Sequence, residues 1–175
     1  METSQIVRYL RERFPRAILG ENLQAFDPWV QVEPAQLREV CFYLRDEPAL
    51  RFQMLHLITA VDYLEKPPGG GQGGSEGHFE VFYHLSSLEH GHRLVLKVRL
   101  PRWKHNQPGQ LPELPTLSDI WRTAEWHERE VYDLSGVCFI GHPDLRRILC
   151  PEDWQGHPLR KDYPMSHQYQ GIPGR

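Results

Sequence analysis

The pattern of hydrophobic residues predicts two amphipathic helices near the start of the chain. Apolar positions recur at three- and four-residue steps over residues 4–14, where Thr3 or Ser4 is available as the N-cap. Residues 29–32 are a short strand candidate, and Pro34 then stands where the first turn of a helix tolerates proline. The predicted apolar faces are Ile6, Val7, Leu10 and Phe14 in the first helix and Leu37, Val40, Cys41 and Leu44 in the second.

A strand-rich region follows the second helix. Residues 52–63 are mostly apolar, which predicts a central strand buried on both faces. Two later runs alternate between apolar and polar side chains, as half-buried strands do, and residues 86–92 join them into a hairpin. The apolar positions of these runs are Phe79, Val81, Tyr83 and Leu85, then Leu94, Leu96, Val98 and Leu100. This order of elements predicts an α+β fold, with helices over one face of a mixed or antiparallel sheet.

The C-terminal part of the chain predicts one more helix and then a long irregular segment. Residues 101–115 carry four prolines and are expected to be an extended connector, after which Thr116 or Ser118 can cap a helix that Gly136 ends. The helical stripe is Leu117, Ile120, Trp121, Ala124, His127, Val131 and Leu134. Residues 142–175, which we call the arm, have no periodicity but contain aromatic and aliphatic side chains. We therefore expect the arm to lie over a partner.

These patterns divide the chain into two parts. Residues 1–115 are predicted to form an α+β core domain that includes a flexible loop over residues 65–77, where Pro and Gly dominate. Residues 116–175 are predicted to form the third helix and an extended arm that binds a partner.

Charge and composition argue against several classes of protein. The formal charge of the 175 residues is −3, and acidic and basic residues are interspersed, whereas nucleic-acid binders show a basic face. No apolar run approaches the roughly 20 residues that span a bilayer. The N-terminal Met-Glu-Thr-Ser-Gln resembles neither a signal peptide nor a transit peptide. We therefore expect a cytoplasmic location, with membrane association only through partners.

The centre of the third helix is rich in charge. A His-Glu pair resembles the start of a zinc-protease motif, but Val131 stands where the second histidine ligand would be, which excludes that chemistry. Glu125, Arg129 and Asp133 are spaced four residues apart, as in helical ion pairs. The spacing fits equally a solvated charged stripe and a ladder of charges buried against a partner.

Four residues of the C-terminal part could together bind zinc through two thiolates and two imidazoles. They are Cys138, His142, Cys150 and His157. Their spacing matches no compact zinc knuckle, so a zinc-stabilised binding module is an alternative interpretation and not the first. Three cysteines are too few for a four-cysteine iron–sulfur site, and no phosphate-binding glycine loop or nucleophile motif is present. The pattern is not that of an independent enzyme.

Residues 128–164, with an upstream match over 114–121, carry a specific family resemblance. The most specific stretches are Glu128-Arg129-Glu130-Val131-Tyr132-Asp133, Gly141-His142-Pro143-Asp144-Leu145-Arg146-Arg147 and Gly156-His157-Pro158-Leu159-Arg160-Lys161-Asp162-Tyr163-Pro164. They resemble the C subunit family, also called the thirty-kilodalton subunit family, of NADH-quinone oxidoreductase, respiratory complex I. Relatives of that family occur in membrane-bound hydrogenases. The chain departs from the family at Ser135, where an aromatic residue is usual.

The resemblance implies a structural subunit that binds no cofactor. FMN and the iron–sulfur clusters would lie in partner subunits of a proton-translocating NADH-quinone oxidoreductase. This chain would dock the D subunit, which helps form the quinone site, and would contact other subunits of the peripheral arm, including the B subunit. It would lie on the cytoplasmic side of the cell inner membrane. The alternative within the superfamily is the equivalent subunit of a ferredoxin-linked or hydrogenase-type membrane complex.

The resemblance also implies which residues hold the partner. We expect Glu128, Arg129 and Asp133 to lock the third helix to the arm or to the D subunit. The residues expected to make hydrogen bonds and ion pairs between subunits are His142, Asp144, Arg146, Arg147, His157, Arg160, Lys161, Asp162 and Tyr163. The arginines suit this role because a planar guanidinium pairs with a carboxylate through two hydrogen bonds.

Overall fold

The computed structural model describes residues 1–64, 77–164 and 168–173, and within these ranges the chain forms three α-helices and nine strands. The helices are α1 (Thr3–Arg13), α2 (Leu37–Asp46) and α3 (Ala124–Ser135). The strands are β1 (Ile18–Asn22), β2 (Trp29–Val32), β3 (Met54–Leu64), β4 (Gly77–Ser86), β5 (Arg93–Pro101), β6 (Glu113–Pro115), β7 (Cys138–Ile140), β8 (Gln168–Tyr169) and β9 (Ile172–Pro173). Short 3-10 turns span Pro34–Gln36 and Lys104–Asn106.

The central feature is a five-stranded mixed sheet with the strand order β1-β2-β5-β4-β3. Strand β2 runs parallel to β5, and the other neighbours are antiparallel. Strands β4 and β5 form the predicted hairpin, in which Val81 lies opposite Val98. The α+β class and the mixed sheet are therefore confirmed. The sequence pattern did not reveal β1, which pairs with β2 along one edge.

The hydrophobic core lies between one face of this sheet and the three helices. The predicted inward positions of β4 and β5 are all buried, as are Val30 and Val32 of β2. The predicted apolar faces of α1 and α2 are also buried, apart from Phe14, which follows α1 and packs against the core while partly exposed. The apolar residues spaced at the helical period of 3.6 and those spaced at the strand period of two thus pack against each other in one core.

Strand β3 is an edge strand, so the prediction of a central strand buried on both faces is wrong. Leu55 and Ile58 face the core, but Leu57, Val61 and Tyr63 on the other face are exposed by 37%, 37% and 43%. The apolar composition of this segment misled the prediction because an edge strand with apolar side chains on both faces has no alternating pattern.

The starts of two helices also differ from the prediction. Thr3 and Ser4 lie inside α1, and the residue before the helix is Glu2, whose N–H donates to the Gln5 side chain at 3.2 Å. Helix α3 begins at Ala124 and not after Thr116 or Ser118, because the intervening residues fold into a turn of their own. Its predicted end is confirmed, since Gly136 adopts a left-handed conformation with φ of 73°.

The connector between β5 and α3 is only partly extended. It contains the turn Lys104–Asn106 and then β6, which pairs in parallel with β7 from beyond α3. Gly77 is the first residue of β4, and the remainder of the predicted glycine-rich loop, residues 65–76, lies outside the described residues. Within the described ranges, no helix combines the length and the apolar character required to cross a membrane.

Gly136 has a left-handed backbone conformation and also lies very close to a side chain of the arm. A Cβ atom placed on Gly136 would lie 2.5 Å from Cδ2 of His157, a residue of the arm. Gly91, in the β4–β5 turn, has a similar φ of 69° but no atom within 4 Å of the same position. Substitutions at the two glycines therefore distinguish the energetic cost of backbone strain from the cost of steric crowding.

We predict that Gly136→Ala lowers the free energy of unfolding by about 2–4 kcal/mol, because it adds a steric clash to the left-handed strain. Gly91→Ala, the matched control, should cost about 1 kcal/mol from strain alone. Urea denaturation of both variants measures the difference. Equal losses would show that the arm does not pack against the end of α3.

Candidate functional site: the third helix and the arm

Asp133, near the end of α3, fixes the beginning of the arm. Its side chain is fully buried and accepts hydrogen bonds from the backbone N–H groups of Ile148 at 3.0 Å, Leu149 at 2.8 Å and Cys150 at 2.8 Å. Arg147 donates to the other carboxylate oxygen at 2.6 Å. One carboxylate thus holds four consecutive residues of the arm in a tight loop against the helix.

These donors also determine the ionisation of Asp133. Burial acts to raise the pKa of this carboxyl, but the backbone N–H groups of Cys150, Leu149 and Ile148 and the Arg147 guanidinium outweigh burial and lower the pKa to about 2. Asp133 is therefore a carboxylate at neutral pH, and its charge is compensated within the chain.

Arg129 also binds the arm, one turn earlier on the same helix. Its guanidinium donates to the carbonyl oxygens of Arg146 and Arg147, both at 3.2 Å, and lies 5.4 Å from the ring of Trp126. The predicted i,i+4 ion pairs with Glu125 and Asp133 do not form, since Arg129 and Asp133 each turn to the arm instead. Neither interpretation of the spacing, a solvated stripe or a ladder of charges buried against a partner, describes Arg129 and Asp133, because both are buried and bound to the arm.

Glu128 lies on another face of α3 and does not contact the arm. It has no exposed surface, and its two oxygens accept hydrogen bonds from the Leu117 N–H at 2.7 Å and the Thr116 hydroxyl at 2.5 Å. Burial raises the pKa of Glu128 to about 7 and outweighs the effect of these two donors. Glu128 therefore locks α3 to the segment before it, which is not the lock expected from the sequence.

The arm returns to the sheet at Arg102, a buried arginine after β5, and we call this residue with Asp62 of β3 and the half-exposed Asp162 of the arm the buried arginine cluster. Arg102 is 1% exposed and donates two hydrogen bonds to Asp62, at 2.6 and 2.8 Å, and two to Asp162, at 3.2 and 2.6 Å. The Lys161 N–H also donates to Asp62, at 2.8 Å. A buried guanidinium flanked by two carboxylates therefore holds the arm against the sheet.

Sequence reasoning missed Asp62 and Arg102 as residues that position the arm. A signal was present, because Asp62 interrupts an apolar strand and a carboxylate there requires a partner. The partner could not be identified from spacing, since Arg102 lies 40 residues further along the chain.

Arg160 is an interior residue and not a surface contact. Its guanidinium lies 3.6 Å from the centre of the Trp103 ring and 5.0 Å from that of Phe79, and it donates to the Arg102 carbonyl at 2.7 Å. A weaker contact at 3.4 Å reaches the carbonyl oxygen of Ser135, which is itself buried. Burial lowers the pKa of Arg160 to about 10, and the neighbouring Arg102 acts in the same direction.

The remaining predicted residues are divided between the interior and the surface. His142 bonds the Glu125 carbonyl at 2.9 Å, and His157 bonds the Asp133 carbonyl at 2.9 Å. Arg146 and Asp144 form an exposed ion pair at 2.9 Å. The Lys161 side chain is exposed, and the Tyr163 hydroxyl donates to the Gln155 carbonyl at 3.1 Å. Roles of these residues at an interface between subunits stay predictions.

The four candidate zinc ligands do not converge. His142 and His157 each hold a different backbone carbonyl of α3, Cys138 lies in β7, and Cys150 lies in the loop around Asp133. In the described part of the chain, no group of three His, Cys, Asp or Glu side chains is arranged to hold a metal ion. The geometry thus gives no support to the zinc-stabilised module.

The combination of this helix, this arm and this sheet recurs in known proteins. The family described as "Respiratory-chain NADH dehydrogenase, 30 Kd subunit" matches residues 30–169, which include β3 to β8, all but the first residue of β2, α3 and most of the arm. The chain belongs to this family. The match confirms the resemblance carried by residues 128–164.

Other members of the thirty-kilodalton subunit family are similar over nearly the whole chain. The C subunit of NADH-quinone oxidoreductase from Roseiflexus sp. (strain RS-1) is 42% identical over 165 residues, which cover 94% of this chain and 86% of that protein. The protein of the same name from Geobacter metallireducens (strain ATCC 53774 / DSM 7210 / GS-15) is 40% identical over 174 residues, which cover 99% of this chain and 94% of that protein.

A solved structure shares the fold of this family member. A chain in the structure of the membrane-bound sulfane sulfur reductase, an archaeal respiratory membrane complex, superposes with a TM-score of 0.70 at 27% identity. The superposition covers 94% of this chain and 87% of that chain.

We predict that Arg102→Met lowers the free energy of unfolding by about 3–5 kcal/mol, because it leaves the carboxylate of Asp62 buried without a counter-charge. Arg99→Met, three residues earlier and on β5, is the matched control. Arg99 is exposed and contacts only the His78 ring among the hydrogen bonds described, at 3.3 Å, so its loss should cost less than about 0.5 kcal/mol. Similar losses in the two variants, measured by chemical denaturation, would contradict a structural role for the buried arginine cluster.

We also predict that the stabilisation contributed by Asp133 disappears in acid. Because the folded-state pKa is lowered to about 2, this contribution is complete above the unfolded value of about 4 and is lost as the pH falls through about 2. It should amount to about 2 kcal/mol. The difference in free energy of unfolding between the native chain and Asp133→Asn should shrink between pH 5 and pH 2. A difference independent of pH would contradict the assignment.

Proposed function

We propose that this chain is a non-catalytic structural subunit in the peripheral arm of a proton-translocating NADH-quinone oxidoreductase. The observation that carries the proposal is the identity of 42% over 165 residues to the Roseiflexus protein, which is named as the C subunit of that enzyme. Because this identity extends over 94% of the chain, it includes the core domain, α3 and the arm together.

In this proposal the chain docks the D subunit, which forms the quinone site, and lies beside other peripheral-arm subunits, including the B subunit. FMN and the iron–sulfur clusters lie in the partner subunits. The contribution of this chain to electron transfer from NADH to quinone is to hold those subunits in register. The hydrogen bonds that attach the arm to Asp133 and to Arg102 support such a role, because a docking surface must itself be held in place.

The proposed docking surface consists of exposed side chains on α3 and on the arm segments bonded to it. Trp126 of α3 is exposed by 61%, Leu149 by 61% and Leu159 by 57%, and the Arg146 side chain is also exposed. The backbone of Leu149 is held by Asp133, and that of Leu159 by the Leu134 carbonyl. Aromatic and arginine side chains presented on a fixed backbone are the usual anchors of protein interfaces.

The proposed location follows from the assembly. The chain is a peripheral component on the cytoplasmic side of the cell inner membrane, attached to the membrane through its partner subunits.

A second candidate is the equivalent subunit of a ferredoxin-linked or hydrogenase-type membrane complex. The structural similarity to a chain of the archaeal sulfane sulfur reductase complex favours it, but at 27% identity against 42% for the Roseiflexus relative. Purification of the complex from its native membrane distinguishes the two candidates. NADH-dependent reduction of quinone by the purified complex supports the first candidate, and reduction only with ferredoxin supports the second.

We predict that the chain co-elutes with its D-type subunit after co-expression and gel filtration, and that Trp126→Ala and Arg146→Glu each weaken the pair. A loss of at least about 30-fold in affinity is expected for an anchor residue. The controls are Leu88→Ala and Arg93→Glu, exposed positions at the β4–β5 turn and at the start of β5. Unchanged affinity in both α3 and arm variants would contradict the proposed surface.

Exposed substitutions are a cleaner test than deletion of the arm. A chain that ends after Phe139 loses the donors to Asp133 and the second carboxylate on Arg102. Such a deletion would unfold the interior, and a lost complex would then say nothing about the interface.

A further inference from the structure

Glu128 has an unusual environment for a carboxyl group. It is completely buried, and among the described residues no lysine, arginine or histidine donates a hydrogen bond to it. The nearby cation is Arg38 of α2, which is already bound to Asp119 and to the Thr116 carbonyl, the latter at 2.9 Å. An ionised carboxylate without a partner cation is costly to bury, so this site favours the neutral acid.

A pair of hydroxyl groups connects Glu128 to the surface. The Thr116 hydroxyl lies 2.5 Å from the Glu128 carboxyl and 2.9 Å from the Ser118 hydroxyl, and it also accepts the Ser118 N–H at 3.2 Å. A hydroxyl has one proton, so Thr116 can donate to Glu128 or to Ser118, but not to both.

Both charge states of Glu128 are therefore satisfied by rotation of one hydroxyl. When Glu128 is ionised, Thr116 donates to it. When Glu128 is protonated, its own O–H donates to Thr116, whose proton turns to the Ser118 oxygen. The Leu117 N–H donates to the other carboxyl oxygen in either state. A titrating buried group needs such an arrangement, since each state would otherwise leave a polar group unpaired.

The outer end of this connection opens to solvent. Thr116 and Ser118 line a groove of about 350 Å³ between α2, β6 and β7, together with Arg38 and Asp119. The groove is large enough to hold water molecules, each of which needs little space and a few polar partners. Protons can therefore reach Ser118 without any opening of the core.

We propose that Glu128 is a buried proton-binding site that exchanges its proton with solvent through the hydroxyls of Thr116 and Ser118. On release, the Glu128 proton moves to the Thr116 oxygen while the Thr116 proton moves to Ser118 and the Ser118 proton moves to a water in the groove. The bonding electrons of the Glu128 O–H stay on the carboxylate. The net change is one proton lost by Glu128 and one gained by water.

The neighbouring groups leave Glu128 as the member of this set that titrates near neutral pH. From α2 they are Arg38 and Cys41, from β4 Tyr83, and from the turn before α3 Asp119. Burial raises the pKa of the Cys41 thiol and of the Tyr83 phenol, so both are neutral at pH 7. The hydrogen bond from Arg38 lowers the pKa of Asp119, which keeps it ionised.

The direction of the pH effect follows from the raised pKa of Glu128. Between about 4.5, the value without the fold, and about 7 the native chain holds the proton and the unfolded chain has released it. Stability therefore falls as the pH rises through this window and is constant above it. This slope is opposite in sign to the contribution of Asp133.

Carbon-13 NMR of the full chain with labelled glutamate tests the proton site directly in the native protein. The carboxyl resonance that is absent from Glu128→Gln is expected to titrate with a midpoint near 7. A midpoint near 4.5 would overturn the proposal. This measurement needs the variant only for assignment, so a partly destabilised variant does not compromise it.

Ser118→Ala tests the hydroxyl connection. It removes an acceptor that is needed only when Glu128 is protonated, so the midpoint should fall by about 0.5–1 unit. The exchange rate, measured from line broadening near the midpoint, should fall at least 10-fold, by our order-of-magnitude expectation for a broken hydrogen-bonded path. Ser4→Ala, an exposed hydroxyl on α1, is the control. An unchanged midpoint and rate in Ser118→Ala would exclude this route.

Discussion

The guanidinium of Arg102 joins the five-stranded sheet to the arm. Arg102 is removed from water between Asp62 of the sheet and Asp162 of the arm. Withdrawal of such a charge from solvent costs several kcal/mol unless good hydrogen bonds compensate it. Those hydrogen bonds come from Asp62, whose side chain is buried, and from the half-exposed Asp162, so one arginine joins the edge strand to the arm. Arg160 stacks on Trp103 and donates to the carbonyl oxygen of Arg102. The position of the Arg160 guanidinium therefore depends on that of Arg102.

Helix α3 connects the sheet and the arm because its two fully buried acidic side chains, Glu128 and Asp133, face different surroundings. Asp133 and Glu128 are five residues apart, so they point in directions about 140° apart around the helix axis. Asp133 receives a cation and three backbone donors and is a strong acid, whereas Glu128 receives two donors and no cation and is a weak one. The same side-chain chemistry thus gives a permanent charge toward the arm and a titrating group toward the segment before α3.

The sequence correctly predicted those elements that depend on the spacing of residues close together in the chain. The apolar faces of α1 and α2 and the β4–β5 hairpin follow from residue spacing, because each element buries one side. The position of β3 at the sheet edge depends on whether another strand pairs with its outer side, and this cannot be read from the residues of β3 alone. The Asp62–Arg102 pair joins residues 40 positions apart, and no spacing rule reaches that far. At Arg129 the carbonyl groups of the arm displaced the expected ion pairs.

The arrangement of the buried arginine cluster also orders the biogenesis of the protein. Translation delivers Asp62 and Arg102 before the arm, since Asp162 follows Arg102 by 60 residues. At 5–20 residues per second, roughly 3–12 s separate the synthesis of Arg102 from that of Asp162 on the ribosome. Throughout that interval the nascent core domain holds an arginine with only one of its two carboxylates, and Asp133 is made before the residues that donate to it. The surface formed by α3 and the arm is therefore complete only after Asp162 has been made, so a partner that binds this surface must wait for the arm and not only for the sheet.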